Sequence, residues 1–314
     1  MNKLLASICV FIGSACFGML STMTKLAYLD GFSTADIVGS QNLFAWIVFF
    51  LCSYPHWKKM FSLPNKTILS LIFSGCCSAL TGVFYYLSLQ TLSAAFAVVL
   101  LFQFTWMGIV LDWVYGKNKP TKNKWIAVGF ILVGTILAAS SGQGNGNESI
   151  SGIGVCLALL AAVSYTLFIN FSGNVATHVP TVLRNFWMVT GAFILTSIVF
   201  PPHFLLDHSL TRGLWFWGGF MAIFGAILPA YLFAKGVPRI GTGMATILGA
   251  VEFPVVIIFS SYLLKEQTTG LQWSGIFIIF IGILISVGKD MKRKSGKFKM
   301  PTIYEYVKGK RQAS

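Results

Sequence analysis

Along this chain the apolar positions fall into ten runs, separated by short polar clusters, and each run is about long enough to cross a bilayer as a helix. The runs neither alternate with period two nor stop at strand length, so helices are predicted rather than a β-barrel. The first five are predicted at Leu4 to Tyr28, Thr34 to Tyr54, Ile68 to Leu89, Ser93 to Tyr115 and Trp125 to Ser140. The second five are predicted at Ile150 to Phe171, Val182 to Phe200, Leu214 to Ala234, Gly241 to Leu264 and Leu271 to Val287. The first run sits behind Lys3 in the manner of a signal peptide. It continues without a small-x-small cleavage site, and is read as a span that stays.

Threading the runs back and forth through a membrane sorts the basic residues. Of the 23 Lys and Arg, all but Lys25, Arg212 and Lys265 fall on the side of the N-terminus, nine of them in the tail from Lys289 to Arg311. Positive charge marks the cytoplasmic side, so a multi-pass protein of the cell membrane with both termini in the cytoplasm is expected. The net charge of +14 then follows from topology, and no nucleic-acid partner is implied. In the tail Phe298, Ile303, Tyr304 and Tyr306 lie among the bases, which suits either a topology signal or a patch attracted to anionic membrane lipid.

Composition agrees. Hydrophobic residues make up 55% of the chain and charged residues 10%, against about 25% charged in a soluble domain. All six cysteines, Cys9, Cys16, Cys52, Cys76, Cys77 and Cys156, lie inside apolar runs without C-x-x-C spacing or a neighbouring His. They read as small packed residues, and neither a metal site nor a cofactor is expected.

The two halves resemble each other at an offset of 149 residues. FYYLSLQTLSAAFAVVLLFQFTWMGIVLD, from Phe84 to Asp112, lies over FAKGVPRIGTGMATILGAVEFPVVIIFSS, from Phe233 to Ser261. Each stretch ends one span, turns, and makes another, followed by a polar linker and a Trp (Trp125 or Trp273). Five spans per half is an odd number, so the second half enters the membrane upside down. The basic linker GKNKPTKNKW accordingly faces inward and KEQTTGLQW outward. The expected architecture is an all-α membrane protein of ten transmembrane helices in two inverted five-helix repeats, residues 1–143 and 144–289, with a basic tail over 290–314. In proteins built this way, substrate is held near the midplane between the halves.

Several stretches resemble the drug/metabolite transporter superfamily, specifically its EamA-type ten-helix members. They include the first-span GSACFGMLSTMTKLAYLDGF and the ninth-span ATILGAVEFPVVIIFSSYLLKEQTTGLQWSGIFIIFIG. Members typically show a carboxylate beside a Pro, then Gly-Glu and Trp-Gly pairs. In this chain Phe253 separates Glu252 from Pro254, and Lys265 stands where the Gly before Glu266 would be. The resemblance covers roughly Leu4 to Gly288 and implies transport of a small metabolite, most often export of an amino acid or related compound. It is silent on the individual substrate.

Candidate chemistry concentrates at Glu252. A helix rise of ~1.5 Å per residue places it ~16–18 Å from either end of its run, near the centre of the bilayer. An ionised side chain there costs at least ~2.5 kcal/mol, so it should face protein, water or ligand. It can carry a coupling proton, pair with a cationic substrate, or hydrogen-bond between helices. Gln103 occupies the repeat-equivalent position with an amide. Trp46, Tyr85, Tyr86 and Trp106 in the first half, with Tyr165, Trp187 and Tyr231 in the second, are candidate cavity walls or interfacial anchors. Ser14, Phe17 and Ser21 recur at helical spacing on the first span, and Gln41 is the amide of the second span chosen as cavity-facing. Lys25 can snorkel or gate, Asp112 sits at the cytoplasmic end of the fourth span, and Pro229 marks a kink.

No nucleotide-binding motif is present, so an ion gradient, such as protons, or the substrate's own gradient must drive transport. The reading is a secondary transporter working by alternating access, with import of an organic cation as the alternative. A membrane enzyme would need clustered His, Asp or Glu near one face, and His56, His178, His203 and His208 are scattered. A channel is the third class.

Overall fold

The computed structural model describes residues 2–88, 91–92, 94–116, 119–140, 151–265 and 268–295. Every regular element among them is helical. The first repeat comprises α1 (Lys3–Leu29), α2 (Thr34–Cys52), a short α3 (Trp57–Phe61), α4 (Asn65–Ser88), α5 (Ala94–Leu101), α6 (Phe104–Gly116) and α7 (Lys122–Ser140). The second comprises α8 (Gly152–Asn174), α9 (Thr181–Val199), α10 (Trp215–Ala222), α11 (Leu228–Ile240), α12 (Thr242–Gly249), α13 (Glu252–Leu263) and α14 (Gly270–Ser295). Pairs α5–α6, α10–α11 and α12–α13 each make one crossing. Nine segments among the described residues are long and apolar enough to span a membrane; α7, with 19 residues, is the tenth crossing and packs along α14.

The helix starts follow from local chemistry. Ser33 caps α2 in a reciprocal box with Asp36, each side chain accepting from the other's backbone N–H. Asn2 and Ser151 cap α1 and α8 through their side-chain oxygens. Leu69, Phe73, Leu160, Ile198, Phe277 and Leu284 lie on outward faces with high exposure, as expected where hydrocarbon replaces water. Trp113, Tyr115 and Trp125 toward one end of the bundle, and Tyr262 and Trp273 toward the other, are exposed ring positions suited to the two interfaces.

Three crossings depart from the single runs predicted. Span four breaks at Phe102–Gln103 and span nine at Ala250–Val251. Both breaks tighten to i→i−3 bonds: Gln103 N–H to Leu100 O in one, Ala250 N–H to Ile247 O and Val251 N–H to Leu248 O in the other. Pro254 explains the second, since it offers no N–H to the Ala250 carbonyl. Span eight runs Leu210–Ile240, longer at both ends than predicted, with π-helical turns at Leu210–Leu214 and Ile223–Ile227. The second of these ends one residue before α11, in whose first turn Pro229 stands, so the irregularity predicted at Pro229 is a π segment just before it.

Exchanging the halves carries most helix contacts onto one another. The pairs α2·α9 and α7·α14 map onto themselves, α4·α8 maps onto α11·α1, and α4·α9 onto α10·α2. Backbones come closest at α4·α9. A side chain on Gly75 would strike the Met188 carbonyl, and one on Gly191 the Ile72 carbonyl. In the outer pair, Gly134 and Gly275 face each other's carbonyl oxygens.

Candidate functional site

The two helix breaks bring the offset-related residues to the same kind of place. Gln103 lies in the turn between α5 and α6, and Glu252 is the first residue of α13. Each is half-buried. Unwound backbone inside a membrane is tolerated where it faces protein or a cavity, and there a helix opening offers free N–H groups.

Their side chains are held differently. Gln103 Nε2 donates to the Val99 carbonyl at 3.1 Å, and its Oε1 accepts from Trp106 Nε1 at 2.9 Å. The amide is thus satisfied within its own span. Glu252 Oε2 accepts from the Tyr165 hydroxyl at 3.5 Å, the long limit of a hydrogen bond. Beside it α1 passes at Gly18, where any side chain would collide with the Glu252 backbone carbonyl and Val255.

Around Tyr165 stands a ring cluster drawn from both halves. Phe104 lies edge-on at 4.8 Å, Phe17 edge-on at 6.2 Å, and Phe168 stacks at 6.4 Å. Phe233 closes on Phe17 at 5.8 Å, while Phe102 bridges Phe104 and Phe253. Phe102, Phe104 and Phe233 are almost fully buried. A carboxylate bonded by one hydroxyl of an aromatic cluster can hold a proton or a cationic group. Among the described residues no cluster of His, Cys, Asp or Glu is arranged to hold a metal.

The remaining sequence candidates scatter. Phe17, Trp106 and Tyr165 join the region of the two breaks. Trp187 packs between the central cluster and its neighbour, and its buried indole N–H has no hydrogen-bond partner among the described residues. Trp46 donates to Thr190 and stacks with Phe50, in an aromatic layer between α2 and α9 away from Glu252. Gln41 lies against Gly225 of the π segment in span eight. Ser14 is fully buried but donates back to Val10 O of its own helix. Tyr85 packs with Leu92, Ala97 and Ala158 near the end of α4. Tyr231 lies under the Lys235 ammonium at 4.3 Å. The side chains of Tyr86 and Ser21 fall outside the described residues.

Sequence reasoning passed over the phenylalanines at 102, 104, 168, 233 and 253, because one more Phe in an apolar run carries no signal. It also counted Arg184 with the cytoplasmic loops, whereas Arg184 is 2% exposed. Its place as the third residue of a predicted helix was the available hint. Asp112, placed by the sequence at the end of the fourth span, is partly buried. It pairs with Lys124 at 3.4 Å and lies against Gly241 and Gly243 at the start of α12.

Comparison with known proteins agrees with this geometry. The pattern of the EamA-like transporter family matches twice, over residues 4–140 and 152–288. An uncharacterized transporter of Synechocystis sp. is 22% identical over 68% of this chain and 65% of its own length. An uncharacterized inner membrane transporter of Salmonella typhimurium is 25% identical over 81% and 84%, respectively. The matched stretch of an uncharacterized Bacillus subtilis transporter, at 23% identity, spans 62% of that protein. Thus the chain spans just under two thirds of the Synechocystis and Bacillus relatives. A solved crystal structure superposes with a TM-score of 0.70 over 91% of this chain and 97% of its own, at 16% identity, which shows the shared fold.

Proposed function

The chain belongs to the EamA-like transporter family, and from that premise we propose that it is a secondary transporter exporting an amino acid or related metabolite across the cell membrane by alternating access. Both termini lie in the cytoplasm in this reading, and Glu252 is the polar centre, alternately protonated and paired or hydrated. The observation that carries it is the half-buried Glu252 carboxylate at the span-nine break, with a single long protein hydrogen bond among the described residues. A buried carboxylate so weakly satisfied within the protein needs another partner during the working cycle, and a proton or a substrate ammonium serves. Trp187, with its orphan indole N–H, is a donor for the substrate's polar end, and Gln103 with Trp106 supports the opposite break.

Purified protein in vesicles with an imposed pH gradient tests this. Accumulation of labelled amino acids above equilibrium, abolished by collapsing the gradient, is the expected result. Uptake without any dependence on the gradient would remove the proton from the mechanism. Import of an organic cation is the second reading, favoured by the aromatic cluster of Phe17, Phe104 and Tyr165, whose hydroxyl reaches the carboxylate. Competition by a quaternary ammonium but not by amino acids would select it. Topology is tested by cysteine labelling in a background lacking the native thiols: a site at Asn145 should react from outside, and one at Asn118 only after permeabilisation.

A further inference from the structure

Arg184 is the second charged side chain of the membrane region that lies deep in protein, and the site around Glu252 does not use it. It stands in the first turn of α9 with 2% exposure. Its partners are two backbone carbonyls from two other helices. Nη2 donates to Ser172 O at 2.6 Å and Nη1 to Ala234 O at 3.3 Å.

Each carbonyl is free for its own reason. Ser172 lies in the last turn of α8, where no later N–H of the helix can reach its oxygen. Ala234 is four residues before Pro238, which has no N–H to give. Both helices also direct the negative ends of their dipoles toward this side, so a guanidinium is stabilised there without a carboxylate.

The bonds close a seam between α8 and α11. Gly173 packs against Val237 within it, and Asn170 extends it to α12 by accepting from Thr242 at 2.9 Å. Exchanging the halves carries this seam to the C-terminal ends of α1 and α4, at the other face of the membrane. Among the described residues α1 and α4 form no comparable seam, whereas α8 and α11 do. Aligned by their first helical residues, Thr34 and Thr181, α2 and α9 place Ile37 where Arg184 stands. Ile37 packs into an apolar cluster with Phe32 and Phe204. These helices are therefore tied at one end by a polar bridge that their repeat counterparts lack among the described residues.

We propose that Arg184 is a latch: while its guanidinium holds the carbonyls of Ser172 and Ala234 the α8–α11 end is shut, and release of these two bonds opens that end as the α1–α4 end closes. The latch is polar, so water can replace both bonds at little cost once the seam parts. A greasy seal of the same area would resist opening. This inference rests on the transporter reading, since it needs two ends that alternate, but it assigns no substrate.

Spin-label distance measurements on the reconstituted full chain, with the native cysteines replaced, test it directly. One label pair at Thr177 and Lys235 reports the α8–α11 end; another at Leu29 and Leu87 reports the opposite end. In Arg184→Gln the first distance should lengthen by on the order of 5 Å, about one helical turn, and the second should shorten. Pro238→Ala provides a second route without touching the arginine. It restores an N–H that competes for Ala234 O, and it should shift both distances in the same directions by less. A brace of the fold would lengthen only the first pair. That result, or no change in either pair, overturns the latch. Should Arg184→Gln fail to fold, Pro238→Ala, which adds a helix bond, decides alone: unmoved distances refute the proposal. The two readings fail separately. Flux with unresponsive distances sinks the latch, while reciprocal distances in vesicles that move no candidate compound count against the transport assignment.

Discussion

The turn at Gln103 and the turn at Glu252 occupy matching places in the two repeats and share the same tightened backbone, yet one is chemically quiet and the other is not. At the first, both ends of the amide are used inside the span, by Val99 and Trp106. At the second, a carboxylate has one long bond to Tyr165, and Gly18 of α1 passes close to the backbone carbonyl of the same residue. The repeat thus reproduces a geometry, a helix interrupted by a tightened turn within its span. Side chains then decide which copy does the work, and an unfilled bonding capacity marks the working one.

The strongest test of that contrast moves the charge. Glu252→Gln should abolish uphill transport and flatten its pH profile while leaving substrate exchange. If the residue instead pairs with a cationic substrate, binding should weaken by roughly 2–5 kcal/mol. The double exchange Gln103→Glu with Glu252→Gln should not restore function, because the side chain at the first turn is engaged by Val99 and Trp106 of its own span and not by a tyrosine from another helix. Recovery of uphill transport would make the two turns equivalent and end the comparison. Next in size is Gly18→Ala, which drives a methyl into the Glu252 carbonyl. A loss of ~1–3 kcal/mol is expected, read as a lowered midpoint of thermal unfolding in detergent. Smaller is Trp106→Phe, which removes the indole bond to Gln103 at a cost of about 0.5–1.5 kcal/mol. Its pH profile should stay that of the parent; a changed profile would show that the quiet turn is not quiet. Smallest in stability is Tyr165→Phe, about 0.5 kcal/mol for so long a bond, but here the pH profile of transport should move.

Much of this was legible in the chain. The apolar runs gave the crossings because a bilayer enforces their length, and the offset of 149 residues already set Gln103 opposite Glu252. The breaks were not read, although Pro254 two residues after Glu252 carried the signal for one of them. For the other, the turn at Phe102–Gln103 has no Pro or Gly and arises from packing that only the folded bundle shows. The ring cluster was likewise hidden, since Phe104 and Phe233 look like any lipid-facing Phe until the helices are placed. Trp46 and Tyr231 illustrate the converse. Large aromatic residues at plausible depth were chosen by type, but Thr190 and Lys235 engage them elsewhere. Arg184 was missed because basic residues were tallied by side of the membrane before any was considered as buried.

The helix pairs that map onto themselves, α2·α9 and α7·α14, have a consequence for how the two halves recognise each other. A contact between an element and its own copy is what two separate molecules make about a twofold axis, each presenting the same patch. Gly134 and Gly275 facing one another's backbone across α7 and α14 are such a patch, now enclosed in a single polypeptide. The interface therefore has the form that two five-helix units would make on their own, one lying the other way up. It follows that cutting the chain between residues 141 and 150 and producing the pieces together should still yield a complex, since the surfaces that join them were shaped to find each other without a tether.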